Sequence, residues 1–531
     1  VLLEADKYAE SSIDKEHVTP WMIKNKKLKK KNISNKVDFS KYRWCVDYPE
    51  DLELIKKILL NFKNRFDFGW EEVLRLVQEE PQKYAINENI KRNDGYSISD
   101  GQKLWRRAKK IIPGGNMLLS KRSELFLPDG WPTYFSKTDG CRVWDINNIQ
   151  YTDMSLMGVG TNILGYSNKE VDNSVKNIVD LGNMSTLNCP EEIYLAEKLV
   201  EMHSWADMVR FARTGGEANS ISIRIARAAT GRDKVAICGY HGWHDWYLAT
   251  NLDGNINLQE HLLPGLDPNG VPKSLKGTIK PFSYNRLDQL KKIVSSNKLA
   301  AIKMEVQRNE PPDSGFLKGV RDLCDKNGIV LIFDECTSGF RETFGGLHLK
   351  YGINPDIAIF GKALGNGYAI TSVIGKKDVM EAAQTTFISS TFWTERIGPN
   401  AALKTLEIMN KEKSWERITE LGKYLRKGWK RIAISNGLKV SIFGIPALSS
   451  FRIESKFSQE YKTFITQEML KEGYLASNSC YLSISHTEQI IDAYLYRLDM
   501  IFNQIRDCED KNNIHEYLKY PVSHSGFKRL N

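Results

Sequence analysis

The chain has 531 residues, of which 41% are hydrophobic and 26% charged, and it carries a formal net charge of +10. That composition excludes a disordered or fibrous chain, and at roughly 100–200 residues per domain it has room for more than one unit. No run of about 18 apolar residues is present and no apolar leader opens the sequence, which excludes a helical membrane span and a visible secretory signal.

The chain opens on Val1 in mid-pattern and reads as a piece of something longer. The basic run Lys24 to Lys31 could be a nucleic-acid tail or a solvated loop. No aromatic residues interleave it and no binding motif follows, so a loop is expected and no nucleic-acid partner. Pro49-Glu50-Asp51-Leu52 through Leu59 predicts a helix, with proline and acidic residues at its start as helix N-termini favour. Asn87 to Gly95 is polar and reads as a linker. A helix from near Ile98 to Ile112 follows, stopped by Pro113-Gly114-Gly115.

From about Asn162 to Leu406 one unit recurs: a short apolar run, an abrupt polar or glycine-bearing turn, then a helical pattern. Val209 to Ala212 ends in Thr214-Gly215-Gly216, and Lys234 to Cys238 ends in Tyr240-His241-Gly242. Ala300 to Met304 ends in Glu305, Ile329 to Phe333 in Asp334, and Ile357 to Phe360 in Gly361-Lys362. Short buried strands alternating with helices predict an α/β fold with a largely parallel sheet. Ligands in such sheets sit beyond the carboxyl ends of the strands, so all these polar ends face one crevice. Eight scattered cysteines without a Cys-x-x-Cys pair give no metal-site spacing and fit reduced thiols in a cytoplasmic protein.

Each end has an ordinary and a chemical reading. Lys362, between glycines, is a surface lysine or a nucleophilic amine. Asp334, after five apolar residues, is a helix cap, a structural ion pair, or the partner of a buried cation, because a lone buried carboxylate is costly. Thr214-Gly215-Gly216 is a plain helix start or an anion seat, since backbone N–H groups and the helix dipole favour negative charge there. Tyr240 offers a ring to stack on a flat ligand. Together they meet the needs of pyridoxal phosphate (PLP): a lysine, an acid for the ring nitrogen, a phosphate seat and a flat neighbour.

As an ordered set, the residues resemble the class III aminotransferases, in particular the glutamate-1-semialdehyde aminomutase-like branch. The matching stretches are Gly216-Glu217-Ala218-Asn219, Arg224 to Ala228, Thr230-Gly231-Arg232, Tyr240-His241-Gly242, Phe333-Asp334-Glu335, Gly339-Phe340-Arg341, Pro355-Asp356 and Gly361-Lys362. The resemblance covers roughly Ser97 to Leu530. It implies a fold-type I PLP enzyme, a homodimer with shared active sites, and a small-molecule amino donor and carbonyl acceptor. Lys362 resembles the Schiff-base lysine and Asp334 the ring-nitrogen partner. Thr214, Gly215 and Gly216 take the phosphate-loop places, Tyr240 with His241 the ring-side places, and Glu305 an acidic position near the ring. Thr391 resembles the threonine that reaches the neighbouring subunit's phosphate. The implied division is 98–161 as the first part of a small domain, 162–407 as the PLP-binding large domain and 408–531 as the rest of the small domain.

Two positions depart from that pattern. The family usually has a hydroxyl residue where Gly216 stands, so one phosphate hydrogen bond is expected from backbone alone. The aminomutase has an arginine after its Pro-Gly-Gly segment, where this chain has Lys121 and Arg122, so intermolecular transamination is expected instead. Residues 1–97 resemble something else: His17-Val18-Thr19-Pro20 and Tyr42 to Asp51 are similar to the end of a spore-coat-polysaccharide-type cytidylyltransferase. That implies a link to surface-polysaccharide precursors, without CTP binding by this chain unaided.

Overall fold

The computed structural model describes residues 1–8, 99–254, 257–259, 261, 264–527 and 530. Between 21 and 87 it describes 21–22, 25, 27–29, 31, 35, 37, 39, 42–46, 49–63, 65 and 67–87. His17 to Pro20, Asp47, Tyr48, parts of the Lys24–Lys31 run and the linker beyond Asn87 lie outside the described residues. The chain forms two compact units, Val1–Arg107 and Ala108–Asn531.

The first unit is helical, with helices at Leu2–Tyr8, Pro49–Asn61 and Trp70–Glu79. Leu54 and Ile58, four residues apart on one helical face, meet Val73, Leu76, Val77 and Tyr84 in a small core. Asp51 is fully buried. Its carboxylate accepts from Arg43 Nε and Nη2 at 3.1 and 3.0 Å and from Asn87 Nδ2 at 2.8 Å. Those donors make burial of the charge tolerable.

The second unit opens with β1 (Phe135–Asp139), β2 (Arg142–Asp145) and β3 (Gln150–Met154), an antiparallel meander. Its centre is a seven-stranded sheet of β4 (Met208–Ala212), β5 (Lys234–Cys238), β6 (Ile279–Pro281), β7 (Leu299–Met304), β8 (Val330–Glu335), β9 (Ile357–Phe360) and β10 (Thr371–Gly375). The spatial order is β4-β10-β9-β8-β7-β5-β6. Neighbours from β9 to β6 are parallel, whereas β10 is antiparallel to both β9 and β4, so β4 runs with the rest. The largely parallel sheet therefore contains one reversed strand. All five residues of β10 are buried, so its apolar pattern carries no sign of direction.

Alternation along the strands feeds two layers. Val235 and Ile237 of β5, with Val330 and Ile332 of β8, join the core that includes Ala218, Ile221 and Ile225 of the helix Gly215–Thr230. Ala236 and Cys238, with Leu331 and Phe333, join Leu290, Phe316, Leu317 and Val320 from two other helices. A third sheet of β11 (Val440–Phe443), β12 (Leu448–Ile453) and β14 (Ser479–Tyr481) is covered by the long helices Ser414–Ser435 and Glu488–Lys511. Between them β13 (Tyr474–Ala476) pairs in parallel with β3, joining segments over 300 positions apart. Among the described residues no helix is long and apolar enough to cross a membrane.

Candidate active site

The common direction of β4, β5, β7, β8 and β9 delivers Thr214, Tyr240, Glu305, Asp334 and Lys362 to one edge of the sheet. Asp334 ends β8 and is 3% exposed. Its Oδ2 lies 2.8 Å from His241 Nδ1, and its Oδ1 accepts the Cys336 N–H at 3.1 Å. Burial alone would push the carboxyl pKa up. The His241 hydrogen bond, the nearby Lys303 charge and the Cys336 N–H outweigh burial and hold it below its ordinary value, so Asp334 stays ionised. Lys303, fully buried within β7, donates to Ser222 Oγ at 3.1 Å. Burial lowers its pKa to about 8 against the pull of Asp334.

Glu335, the next residue, plays a different part. Its oxygens accept from Ser338 Oγ at 2.6 Å, from the Leu347 and His348 N–H groups at 2.9 Å each, and lie 2.8 Å from His348 Nδ1. Every side of that carboxylate is taken by the protein, which makes it a brace for the loop after β8.

Lys362 follows β9 and starts a short 3-10 turn, Lys362–Gly365. Its φ of +36° is left-handed backbone that a side-chain-bearing residue rarely adopts, a strain that clusters at functional sites. Its Nζ donates to Thr337 Oγ1 at 2.7 Å. Burial depresses the amine's pKa, opposed by Cys336 and Glu305 and helped by the cations Arg341 and Arg308. A lysine so placed is a better nucleophile and proton carrier near neutrality than a surface one.

Glu305, 6% exposed, accepts the Tyr240 N–H at 3.1 Å and meets Arg308 Nη1 at 3.5 Å. Arg308 also donates to the His261 carbonyl at 2.7 Å. Glu305, Arg308, Tyr284, His261 and Asn309 line a cavity of about 340 Å3. The Tyr240 ring stands edge-on to Tyr247, 6.1 Å between centres.

Thr214 caps the helix Gly215–Thr230. Its Oγ1 accepts the Glu217 N–H at 3.3 Å while its own N–H donates to Glu217 Oε2 at 2.8 Å. This reciprocal cap occupies the threonine and leaves Gly215 and Gly216 in the first turn, where helix N–H groups lack partners within the helix and favour an anion. Gly216 is closely approached by two side chains. A Cβ there would lie 3.1 Å from His244 Nε2 and 3.4 Å from Trp243 Nε1, and one on Gly242 (φ +101°) would lie 3.0 Å from the Gly216 Cα. Thr391 is not brought into this group. It opens an exposed turn, Thr391–Thr394, whose hydrogen bond from Thr394 Oγ1 to the Thr391 carbonyl is internal.

Sequence reasoning missed Thr337, Lys303 and Arg308. Lys303 had a signal, a lysine inside the apolar run Ala300 to Met304. Thr337 had none, because its contact with Lys362 crosses from β8 to β9. The set fits pyridoxal phosphate on its own geometry: a lysine of lowered pKa on strained backbone, a buried ionised carboxylate, and two N–H groups at a helix start.

Residues 129–485 match the family model of class III aminotransferases. The chain is 33% identical to the 3-aminobutyryl-CoA aminotransferase of Cloacimonas acidaminovorans, over 70% of this chain and 87% of that protein. It is 30% identical to the glutamate-1-semialdehyde 2,1-aminomutase of Methanothrix thermoacetophila, over 76% of this chain and 96% of that protein. Among solved structures, the PLP form of the FumI protein of Sphingopyxis sp. MTA144 superposes with a TM-score of 0.70 at 25% identity, covering 80% of this chain and 98% of that one. The chain belongs to the class III aminotransferases, enzymes that act on small molecules with pyridoxal phosphate as cofactor.

Proposed function

We propose that this chain is an intermolecular aminotransferase in which Lys362 and Asp334 are the catalytic residues. When bound, pyridoxal phosphate supplies a carbonyl that takes up the amino group and a pyridinium that draws electrons from the substrate. Lys362 Nζ is the base that removes the substrate proton and the acid that returns it, with Thr337 Oγ1 holding the amine in place between the two steps. Asp334 keeps the ring nitrogen protonated, itself held by His241. Tyr240 and Glu305 would flank the ring, and the N–H groups of Gly215 and Gly216 would seat the phosphate.

The observation that carries the intermolecular reading is where the cations lie. Arg122, in the place of the aminomutase arginine, lies over the Phe527 ring at 5.5 Å and packs against Gly114. Lys121 lines another cavity, of about 410 Å3, with Trp131, Tyr134, Tyr151 and Asp153. Arg308 stands beside Glu305 instead. A screen of amino donors and carbonyl acceptors, read by the spectral change of the cofactor, tests this. Turnover of glutamate-1-semialdehyde without a second substrate would establish the aminomutase instead.

Three finer readings belong with it. The acceptor is a small or sugar-like carbonyl compound, supported by the similarity of Tyr42 to Asp51 to cytidylyltransferase ends. Failure of every sugar-like acceptor, with turnover of simple ones, removes the polysaccharide role. The enzyme is a homodimer, supported by the exposure of Thr391 away from its own site, and a cytoplasmic one, supported by eight cysteines that form no disulfide. Mixing inactive Lys362→Ala with Thr391→Ala protein should then restore activity, since one of the two shared sites in a mixed dimer is intact.

A further inference from the structure

We propose that His244, seconded by Trp243, binds the cofactor phosphate in place of the hydroxyl that Gly216 lacks. The inference rests on the reading that Thr214-Gly215-Gly216 seats the phosphate. A seat of backbone N–H groups alone would be one donor short of one that also has a serine or threonine. At this position two ring nitrogens border the space that a side chain would fill: His244 Nε2, 3.1 Å from a Cβ placed on Gly216, and Trp243 Nε1, 3.4 Å from it. An indole nitrogen is a donor only. The imidazole donates as well in the tautomer that carries its hydrogen on Nε2. Trp246 Nε1 donates to Ser220 Oγ at 3.0 Å, and Ser220 Oγ lies 2.6 Å from His244 Nδ1. With one acceptor site of the hydroxyl filled by Trp246, its proton is available to Nδ1. A neutral imidazole that accepts there carries its own hydrogen on Nε2, facing the helix N-terminus. Burial lowers the His244 pKa, which favours that neutral form.

The same geometry bears on the glycine at position 216. A threonine there would put its Cβ 3.1 Å from Nε2, so the imidazole would have to shift by a few tenths of an ångström to admit it. Ser220 lies one helical turn from Gly216 on the same helix, so the helix that offers the backbone N–H groups also orients the imidazole.

The test measures affinity of the folded apoenzyme for PLP and, separately, for pyridoxal, which lacks the phosphate, by titrating the absorption band each forms with the protein. His244→Phe keeps a ring and removes the donor. It should weaken PLP about tenfold or more, the worth of one hydrogen bond to a charged group, and leave pyridoxal within about twofold of the unaltered protein. His244→Gln, which returns an N–H near Nε2, should recover most of the loss. Gly216→Thr combined with His244→Ala should recover it by the other route. Wild-type PLP affinity in His244→Phe, or an equal loss for PLP and pyridoxal, overturns the proposal. Gly216→Asp separates the underlying reading: a carboxylate in the seat should abolish PLP binding and spare pyridoxal, and undiminished PLP binding there would place the phosphate elsewhere and sink both.

Discussion

Asp334→Asn keeps the size of the side chain and removes its charge, and it sets two effects of different magnitude against each other. The first is chemical. A hydrogen bond to a charged partner is worth about 1.5–3 kcal/mol, and each 1.36 kcal/mol is tenfold in rate. Loss of the ring-nitrogen partner should therefore lower kcat/KM by about 10- to 150-fold. The second is structural. The charge of Asp334 favours that of the fully buried Lys303, and leaving a buried charge unpaired costs about 3–5 kcal/mol. Lys303 has an escape, since burial already lowers its pKa to about 8. Shedding the proton at pH 7 costs at most about 1.4 kcal/mol, one unit at 1.36 kcal/mol each. The folded state should thus survive with a loss of roughly 1–2 kcal/mol, well inside the usual margin of about 5–15 kcal/mol. Steady-state kinetics with excess PLP and a urea melt at pH 7 read the two effects separately. A folded Asp334→Asn enzyme within about threefold of the original kcat/KM would refute the role given to this carboxylate.

Lys362→Ala should abolish turnover and the absorption band of the lysine-bound cofactor while far-UV dichroism stays unchanged; residual turnover above about one part in a thousand would point to another amine. Lys303 binds its proton less tightly folded, at about 8, than unfolded, at 10.5. Between those values the unfolded chain carries more protons, so Lys303 makes stability rise with pH across that window. Lys303→Met should remove up to about 3 kcal/mol of that rise, and parallel urea-stability profiles for the two proteins from pH 8 to 10.5 would contradict it. Asp51→Ala removes the buried carboxylate that Arg43 and Asn87 bind and should cost the first unit up to about 3–5 kcal/mol. Hydrogen exchange should show this as lost protection in the helix Pro49–Asn61, and undiminished protection would mean the pair is replaceable.

Much of the site was legible in the sequence because its residues sit where a pattern changes. Asp334 follows five apolar residues, Lys362 follows four more, and Thr214 precedes a helix whose cap is spelled by Thr214 and Glu217. The helices Pro49–Asn61 and Gly215–Thr230 were readable from proline, acidic and capping residues at their starts. Glu335, next to Asp334 at the end of β8, reads from the sequence as a structural or hydrogen-bonding neighbour. Their partners separate them: His348, Ser338 and two backbone amides close around Glu335, while Asp334 keeps its place beside His241 at the head of the crevice.

The sequence by itself determined five of the central strands, β4, β5, β7, β8 and β9, and that their polar ends come to one edge of the sheet. A strand's period of two and its buried run are local properties, fixed by the residues within it. Only the tertiary structure decided that β10 runs backwards between β9 and β4, that β13 lies beside β3, that Thr337 holds Lys362, and that His244 stands over Gly216. Each of these depends on which apolar faces cover one another. Burial of apolar surface is without direction or address, so a run of valines and isoleucines specifies that it will be covered and leaves its neighbour to the packing of the whole chain.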